Sequence, residues 1–531
     1  MSLAHTLTGR HLIAGEWVAS AGTGIRAVDP ANGIPLEPFY YQAGMAEVEW
    51  AFHEATQTFR NTCSLPPEAR AELLQTLAEN ILALDHPLIA RAQQESGLPE
   101  ARLLSERART CNQLQMFAEL VREGSWVEAV IETADPTRTP VPKPDIRRMH
   151  VPIGPVVVFD ASNFPFAFGA CGGDTASALA AGNPVIVKSH PAHPGTDEMF
   201  AAAMLQTLKD TGLPVGMFSL LHDAGPEIGA ALVKHPAAEA VGFTGSHRAG
   251  RALFDLASQR SRPIPVFAEM GSVNPLIILP EAMEERGEAI ADGLAQSVTM
   301  GGGQFCTKPG LAFYLSGEAG ERFKTRLTER IAAASPTTLL NASVAIGYKE
   351  ACSRMRSVHG IEILHAGDSA GFADFTPSLY QITARQWQEH PELREEAFGP
   401  STLLVCCNSL EELRECIESL EGQLTGTIHM GTGETQTASD IAEILSLRVG
   451  RLIYNGYPTG VEVCHAMIHG GPYPATTASQ TTSVGTLAIR RFTRPIALQN
   501  SPDALLPPAL QNENPLKIRR MVNGEWTDRA I

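Results

Sequence analysis

Between Val156 and Gln259, four short apolar runs alternate with four segments of helical period. The runs are VVVFD (156–160), PVIVK (184–188), MFSLL (217–221) and AVGFTG (240–245). After them come GGDTASALAAG (172–182), residues 197–211, PEIGAALVKH and HRAGRALFDLASQ, which repeat apolar residues at helical spacing. Runs this short and this apolar suit strands buried on both faces. Strands joined through a helix pair in parallel by right-handed crossovers. The alternation therefore predicts a mostly parallel sheet. Ligands of such sheets bind beyond the carboxyl ends of the strands, which points to the loops at 160–164, 188–191 and 244–247.

The flanking sequence follows other periods. From about Met45 to Glu123 the apolar spacing is helical, with Pro66 placed to start a helix and Gly97-Leu98-Pro99 to stop one. Residues 136–155 carry six prolines and predict an extended, edge-like connector. A second alternating block runs from Pro265 to about Leu452, with strands expected at 275–279, 312–315, 402–407 and 451–455. The tail TSVGTLAIRRFTRPIALQN has strand character but too few strand neighbours of its own, so pairing with another chain is expected. LIAGEWV near the start is echoed by MVNGEWT near the end, too short a match to indicate a repeat architecture.

Composition mainly excludes. At 531 residues the chain exceeds one core and predicts at least two domains. A formal charge of −17 without a basic run argues against nucleic-acid binding. No run of 18 or more apolar residues suggests a membrane span, and MSLAHTLTGRHLIAGEWV lacks the apolar core of a secretory leader. Nine cysteines without CxxC spacing predict free thiols in a reducing compartment, by default the cytoplasm. Cys406 and Cys407 lie in an apolar strand and suit packing on its two faces. His190 with His193, and His465 with His469, lack a Cys or Glu at ligand spacing, so no metal site is expected.

Three segments could carry chemistry. In GGGQFCTKPG (301–310), Cys306 lies between flexible glycines and a Lys-Pro-Gly turn, where a thiolate could meet a substrate. The same pattern suits an inert cysteine in a glycine turn. In AEMGSVNP (268–275), Glu269 ends an apolar strand, where desolvation would raise its pKa towards neutrality and suit it to general-base work. A capping or solvent-facing glutamate is the plainer reading. In DASNFPFAF (160–168), Asn163 follows the first parallel strand and could donate to an oxyanion, or simply form an Asx turn before Pro165.

Taken in order, ASNFP, PVIVK, VGFTGS, AEMGS, GQFCTKPG and EEAFGP resemble the motif series of the aldehyde dehydrogenase superfamily over about residues 10 to 495. The resemblance implies that Cys306 is the nucleophile, that Asn163 with the Cys306 backbone N–H is the oxyanion hole, and that Glu269 activates the deacylating water. It further implies cofactor contacts at Lys188 with Ser189 beside it, at Gly245 and Ser246 of the FTGS turn, and at Glu396 and Phe398 of EEAFGP. Gly225, in the glycine cluster HDAGPEIGAAL (222–232), opens a helix after a strand, where a dinucleotide could also lie.

Two departures refine this. Family members that favour NAD commonly place a glutamate three residues after the strand-end lysine; here that position is Pro191, so repulsion of a 2′-phosphate is missing and NADP is expected, with NAD possible. The usual Trp before the oxyanion Asn is replaced by Ser162. These features resemble a branch containing NADP-preferring fatty-aldehyde dehydrogenases and 2,5-dioxopentanoate dehydrogenases, and YNGYPTGVEVCHAMIHGGPYPATT looks closer to the second group. The expected fold class is α/β, with a Rossmann-type parallel-sheet cofactor domain (1–127 and 151–268) and an α/β catalytic domain (269–478). A small β oligomerisation flap (128–150 and 479–500) and a C-terminal tail (501–531) complete it. A homodimer or homotetramer acting on a small aldehyde is implied. A medium- or long-chain fatty aldehyde is the alternative substrate; a CoA-acylating relative is disfavoured by retention of Glu269 as a water-activating base, and a non-catalytic binding member of the fold by retention of Cys306, Glu269 and Asn163 together.

Overall fold

The computed structural model describes residues 5–223 and 225–531. Residues 1–4 of the leader reading and Ala224 of the glycine cluster lie outside them. The four predicted runs form the parallel strands Val156–Phe159, Val185–Lys188, Phe218–Leu221 and Ala240–Thr244, joined by a fifth, Val266–Glu269. Their order places Val266–Glu269 beside Ala240–Thr244, then Val156–Phe159, Val185–Lys188 and Phe218–Leu221. Registry pairs Thr244 with Glu269, Phe243 with Phe159, Phe159 with Lys188, and Lys188 with Leu221. All five carboxyl ends therefore reach one edge, and the loops leaving them share one crevice.

The helix Gly173–Ala181 is buried along its whole length. Its small side chains let it lie close to the sheet and to the long helix Glu100–Glu123 behind it. One charge is buried with it: Asp174 accepts a 2.6 Å bond from Arg491 Nη2, which reaches in from the segment Thr486–Phe492.

The second block forms its own seven-stranded sheet. Four of its strands fall where expected: Leu276–Ile278, Leu311–Leu315, Ser401–Cys407 and Val449–Tyr454. Ser378–Thr383, Gln423–His429 and the antiparallel edge strand Glu362–His365 were not expected. Gln423–His429 is buried at every position yet reads QLTGTIH, because Gln423 and Thr425 spend their polar atoms on Ser272, the Val273 N–H and Asn274. Cys407 joins one apolar cluster and Cys406 packs against another, on the two faces of one strand.

A five-stranded sheet corrects three expectations. Ile146–Pro152 is an inner strand, between Thr493–Gln499 and Val130–Glu132, rather than an edge. The prolines of the connector lie before Ile146 or at its very end, so residues 146–151 keep every N–H for the ladder. Thr493–Gln499 finds its partner within the same chain, pairing antiparallel along Ile146–Pro152. The segment 501–531 is more than a tail, since Arg520–Val522 and Glu525–Thr527 complete this sheet.

The GEW echo has a structural meaning. Each copy is a tight hairpin pairing Leu12 with Trp17, or Met521 with Trp526, and each adds to a sheet edge. The turn residues have positive φ in both, at Ala14 and Gly15 and at Asn523 and Gly524. That is the geometry a two-residue turn needs to follow the right-handed twist of its strands.

Candidate active site

Cys306 is presented by a backbone that only glycine adopts without strain. Gly301, Gly302 and Gly303 have φ of 56°, 68° and 66°, and a succession of left-handed residues is costly for any other side chain. A Cβ at Gly303 would meet the Gly399 carbonyl at 2.3 Å, so the cysteine loop and the EEAFGP segment touch backbone to backbone. Asn274, from AEMGSVNP, fixes the far side of the loop by donating to the carbonyls of Cys306 (2.8 Å) and Lys308 (2.9 Å).

The Asn163 loop is held by the helix Glu100–Glu123. Buried Glu106 accepts the N–H groups of Phe166 (2.9 Å) and Ala167 (3.0 Å), while Arg102 donates to the Asn163 carbonyl at 3.2 Å. Asn163 Nδ2 donates to the Gln304 carbonyl at 3.1 Å, which ties this loop to the cysteine loop. A carboxamide has two N–H donors, so one remains for a ligand.

Glu269 ends its strand 4% exposed, as its apolar run predicted. The expected upward pKa shift is not found. Burial pushes its carboxyl up, but the charge and hydrogen bond of His469, and hydrogen bonds from Ser483 and the Cys306 thiol, outweigh burial and hold it below the usual carboxylate range. His469 Nε2 stands 2.7 Å from Glu269 Oε1 and 3.3 Å from Cys306 Sγ. Ser483 Oγ donates to the other carboxylate oxygen. The thiol is driven the opposite way: burial, then the negative charges of Glu269 and Glu396, hold it well above the ordinary thiol range, with Arg109 opposing.

His469 was legible only as half of a histidine pair without a ligand partner at local spacing. Its partners come from chain positions 269 and 306, and the three ligating atoms lie within 4.8 Å of one another. The Thr482 hydroxyl accepts the His469 N–H at 2.8 Å, and the Ser483 N–H donates to the His469 carbonyl at 2.9 Å, so the segment is locked. Its other histidine, His465, takes no part. His193, of the first pair, is buried, bonding the Ala161 carbonyl and approaching Asp197.

A cavity of about 620 Å³ opens at the strand ends. Asn163, Cys306, Glu269, Gly245, Ser246, Glu396 and Phe398 line it. Lys188, Ser189 and Gly225 stand at neighbouring positions outside that lining. Lys188 ends its strand, with burial lowering its pKa against the charges of Asp223, Asp160 and Asp197. Ser189 is buried and donates to Asp197 at 2.9 Å; Gly225 N–H donates to Asp223 at 3.0 Å.

Two features fit a dinucleotide. Glu396 keeps Oε1 buried without a partner, an acceptor suited to a ribose hydroxyl, and the close approach of Gly271, whose Cβ would meet Glu396 Oε2 at 2.2 Å, holds it in place. Burial raises the Glu396 carboxyl to about 7, against the pull of the Lys308 ammonium. Gly245 leaves the turn open where a Cβ would meet the Phe243 ring at 2.6 Å.

Comparison with known proteins gives the family of the chain. The aldehyde dehydrogenase family profile matches residues 17–473. Alpha-ketoglutaric semialdehyde dehydrogenase 2 of Azospirillum brasilense is 46% identical over 521 residues, covering 98% of this chain and 99% of that one. An alpha-ketoglutaric semialdehyde dehydrogenase of Acinetobacter baylyi is 40% identical over 521 residues with the same coverage. Among solved structures, lactaldehyde dehydrogenase from Escherichia coli superposes with a TM-score of 0.80 at 20% identity, covering 93% of this chain and 99% of that one, which speaks for the fold alone.

Proposed function

Because the chain belongs to the aldehyde dehydrogenase family, we propose that it oxidises 2,5-dioxopentanoate (α-ketoglutaric semialdehyde) to 2-oxoglutarate through a thioester on Cys306. That it is an NAD(P)-dependent aldehyde oxidoreductase follows from the family and its named relatives. The substrate reading is supported by 46% and 40% identity, over nearly the full length, to two enzymes named for that semialdehyde.

The observation that carries the chemistry is the 3.3 Å contact of His469 with a half-buried thiol that borders the large cavity. With its pKa raised, Cys306 attacks as its proton leaves; the Glu269 carboxylate, which accepts a hydrogen bond from the thiol, is placed to take that proton, and His469 Nε2, which meets both Sγ and Oε1, holds the two together. The free Asn163 N–H and the backbone N–H of Cys306 hold the oxyanion of the thiohemiacetal. Bound NAD(P) supplies the acceptor for the hydride whose departure leaves the thioester. Once the thiol proton has passed on to solvent, Glu269, ionised at neutral pH, draws a proton from the attacking water and returns it to sulfur as the C–S bond breaks, so that Cys306 leaves as the thiol.

Glu396, Phe398, Gly245 and Ser246 would hold the nicotinamide half of the cofactor, with Lys188, Ser189 and Gly225 towards the adenosine end. NADP is the preferred form in this reading, because Pro191 leaves no carboxylate to repel a 2′-phosphate. A homodimer or homotetramer belongs to the same reading, and nine cysteines without a disulfide suit a reducing compartment. The test is an aldehyde panel assayed with NAD and NADP side by side, containing 2,5-dioxopentanoate, decanal and tetradecanal. Highest kcat/KM on the keto acid with NADP is expected; a preference for the fatty aldehydes would overturn the substrate reading.

A further inference from the structure

The cavity lining includes Asn163 and Cys306 but neither Phe164 nor Phe305, the next residue of each loop away from the reacting atoms. Those two belong to an apolar cluster with Phe168 and Val484, against which Val461 and Met467 pack. The Phe164 ring centroid lies 5.5 Å from that of Phe305 and 5.8 Å from that of Phe168, edge to face in both cases.

Two arginines of the helix Glu100–Glu123 cover these rings, and a spacing of seven residues puts both on one helix face. Arg102 is partnered: it stacks on Phe164 and Phe305, and its Nη2 donates to Glu106 and the Asn163 carbonyl. Arg109 stands 5.3 Å from the Phe164 centroid and 5.8 Å from the Phe168 centroid. It enters no hydrogen bond or ion pair among the described residues, and its Nε is buried without a partner. Its nearest carboxylate in sequence, Glu106, is already spent on two backbone N–H groups and Arg102.

Stacking engages the face of a guanidinium and leaves its in-plane N–H donors free. An arginine does not escape this by losing its proton, and a half-buried, unpaired cation is costly unless an anion meets it. We propose that Arg109 is the anion subsite of this active site, taking the carboxylate at the far end of an ω-aldehyde acid whose aldehyde carbon is held at Cys306. This rests on the substrate reading above. In 2,5-dioxopentanoate four carbon–carbon bonds separate the two groups, a span of about 5 Å when extended, and Arg109 is near enough to Cys306 for its charge to act on the thiol.

The experiment compares kcat/KM for 2,5-dioxopentanoate with that for pentanal, uncharged and of equal carbon number, in the full-length parent, R109Q and R109K, all with NADP. In R109Q the ratio of the two values should fall by about 10- to 100-fold, the loss lying mainly in KM for the keto acid. R109K, which keeps the charge but not the planar fork, should recover part of it. An R109Q ratio equal to the parent's overturns the subsite while leaving the substrate reading intact. A parent that itself shows no preference for the keto acid overturns both. Should R109Q fail to fold, R109K still decides: its ratio should drop measurably below the parent's, and an unchanged ratio counts against the subsite.

Discussion

His469 Nε2 lies 3.3 Å from the sulfur of Cys306, although 163 positions separate the two residues. A thiol held this firmly protonated needs a base in contact to react near neutrality. His469 Nε2 holds the thiol against the Glu269 carboxylate, so His469→Ala should slow thioester formation by about 10²- to 10⁴-fold, the range typical of losing a general acid–base contact. Stopped-flow acylation rates measure this directly. A rate unchanged across pH 6–9, on the order of the parent's everywhere, would remove His469 from the chemistry.

Cys306→Ala should abolish turnover while dinucleotide binding, followed by fluorescence titration, persists. Dehydrogenase activity surviving in that variant would refute the thioester route.

Glu269→Gln should permit a burst of NAD(P)H and then slow deacylation by orders of magnitude. It should also act on the thiol. The carboxylate's negative charge helps hold the Cys306 pKa up, so removing it lowers that pKa and raises the thiolate fraction at neutral pH. Alkylation by iodoacetamide at neutral pH should accelerate by about tenfold, one pKa unit. Its pH midpoint should move down; a midpoint that stays or rises contradicts the electrostatics described here.

Pro191→Glu should lower kcat/KM for NADP relative to NAD by about tenfold, through repulsion of the 2′-phosphate. Steady-state assays with both cofactors read this ratio, and indifference to the substitution would detach Pro191 from cofactor choice.

The Asp174–Arg491 pair is buried on both sides at 2.6 Å. Arg491→Met strands the carboxylate and should destabilise the protein by about 3–5 kcal/mol. A marked drop in Tm is the readout. Asp174→Asn with Arg491→Met together should recover part of that loss, since neither partner is then left charged.

Much of the scaffold was legible because it is written locally. Strand-length apolar runs separated by helical periods located the parallel strands, and the glycines of GGGQFC marked a loop that turns left-handed three times in succession. Gln423–His429 escaped detection because its polar residues are paid for by distant partners such as Ser272 and Asn274. Thr493–Gln499 was assigned to another chain because its partner, Ile146–Pro152, lies more than three hundred residues earlier.

By itself, then, the sequence determined the alternation of elements and the glycine-bearing turns, and it singled out Cys306, Glu269 and Asn163 as the candidate reactive groups. These depend on backbone torsions and on side-chain chemistry carried by a few consecutive residues. Only the tertiary structure decided that His469 and Ser483 meet Glu269, that the carboxyl is held down while the thiol is pushed up, and that Arg109 is left without an anion. Electrostatic fields and hydrogen-bond partners are sums over groups from distant stretches of chain, and no local pattern contains those sums.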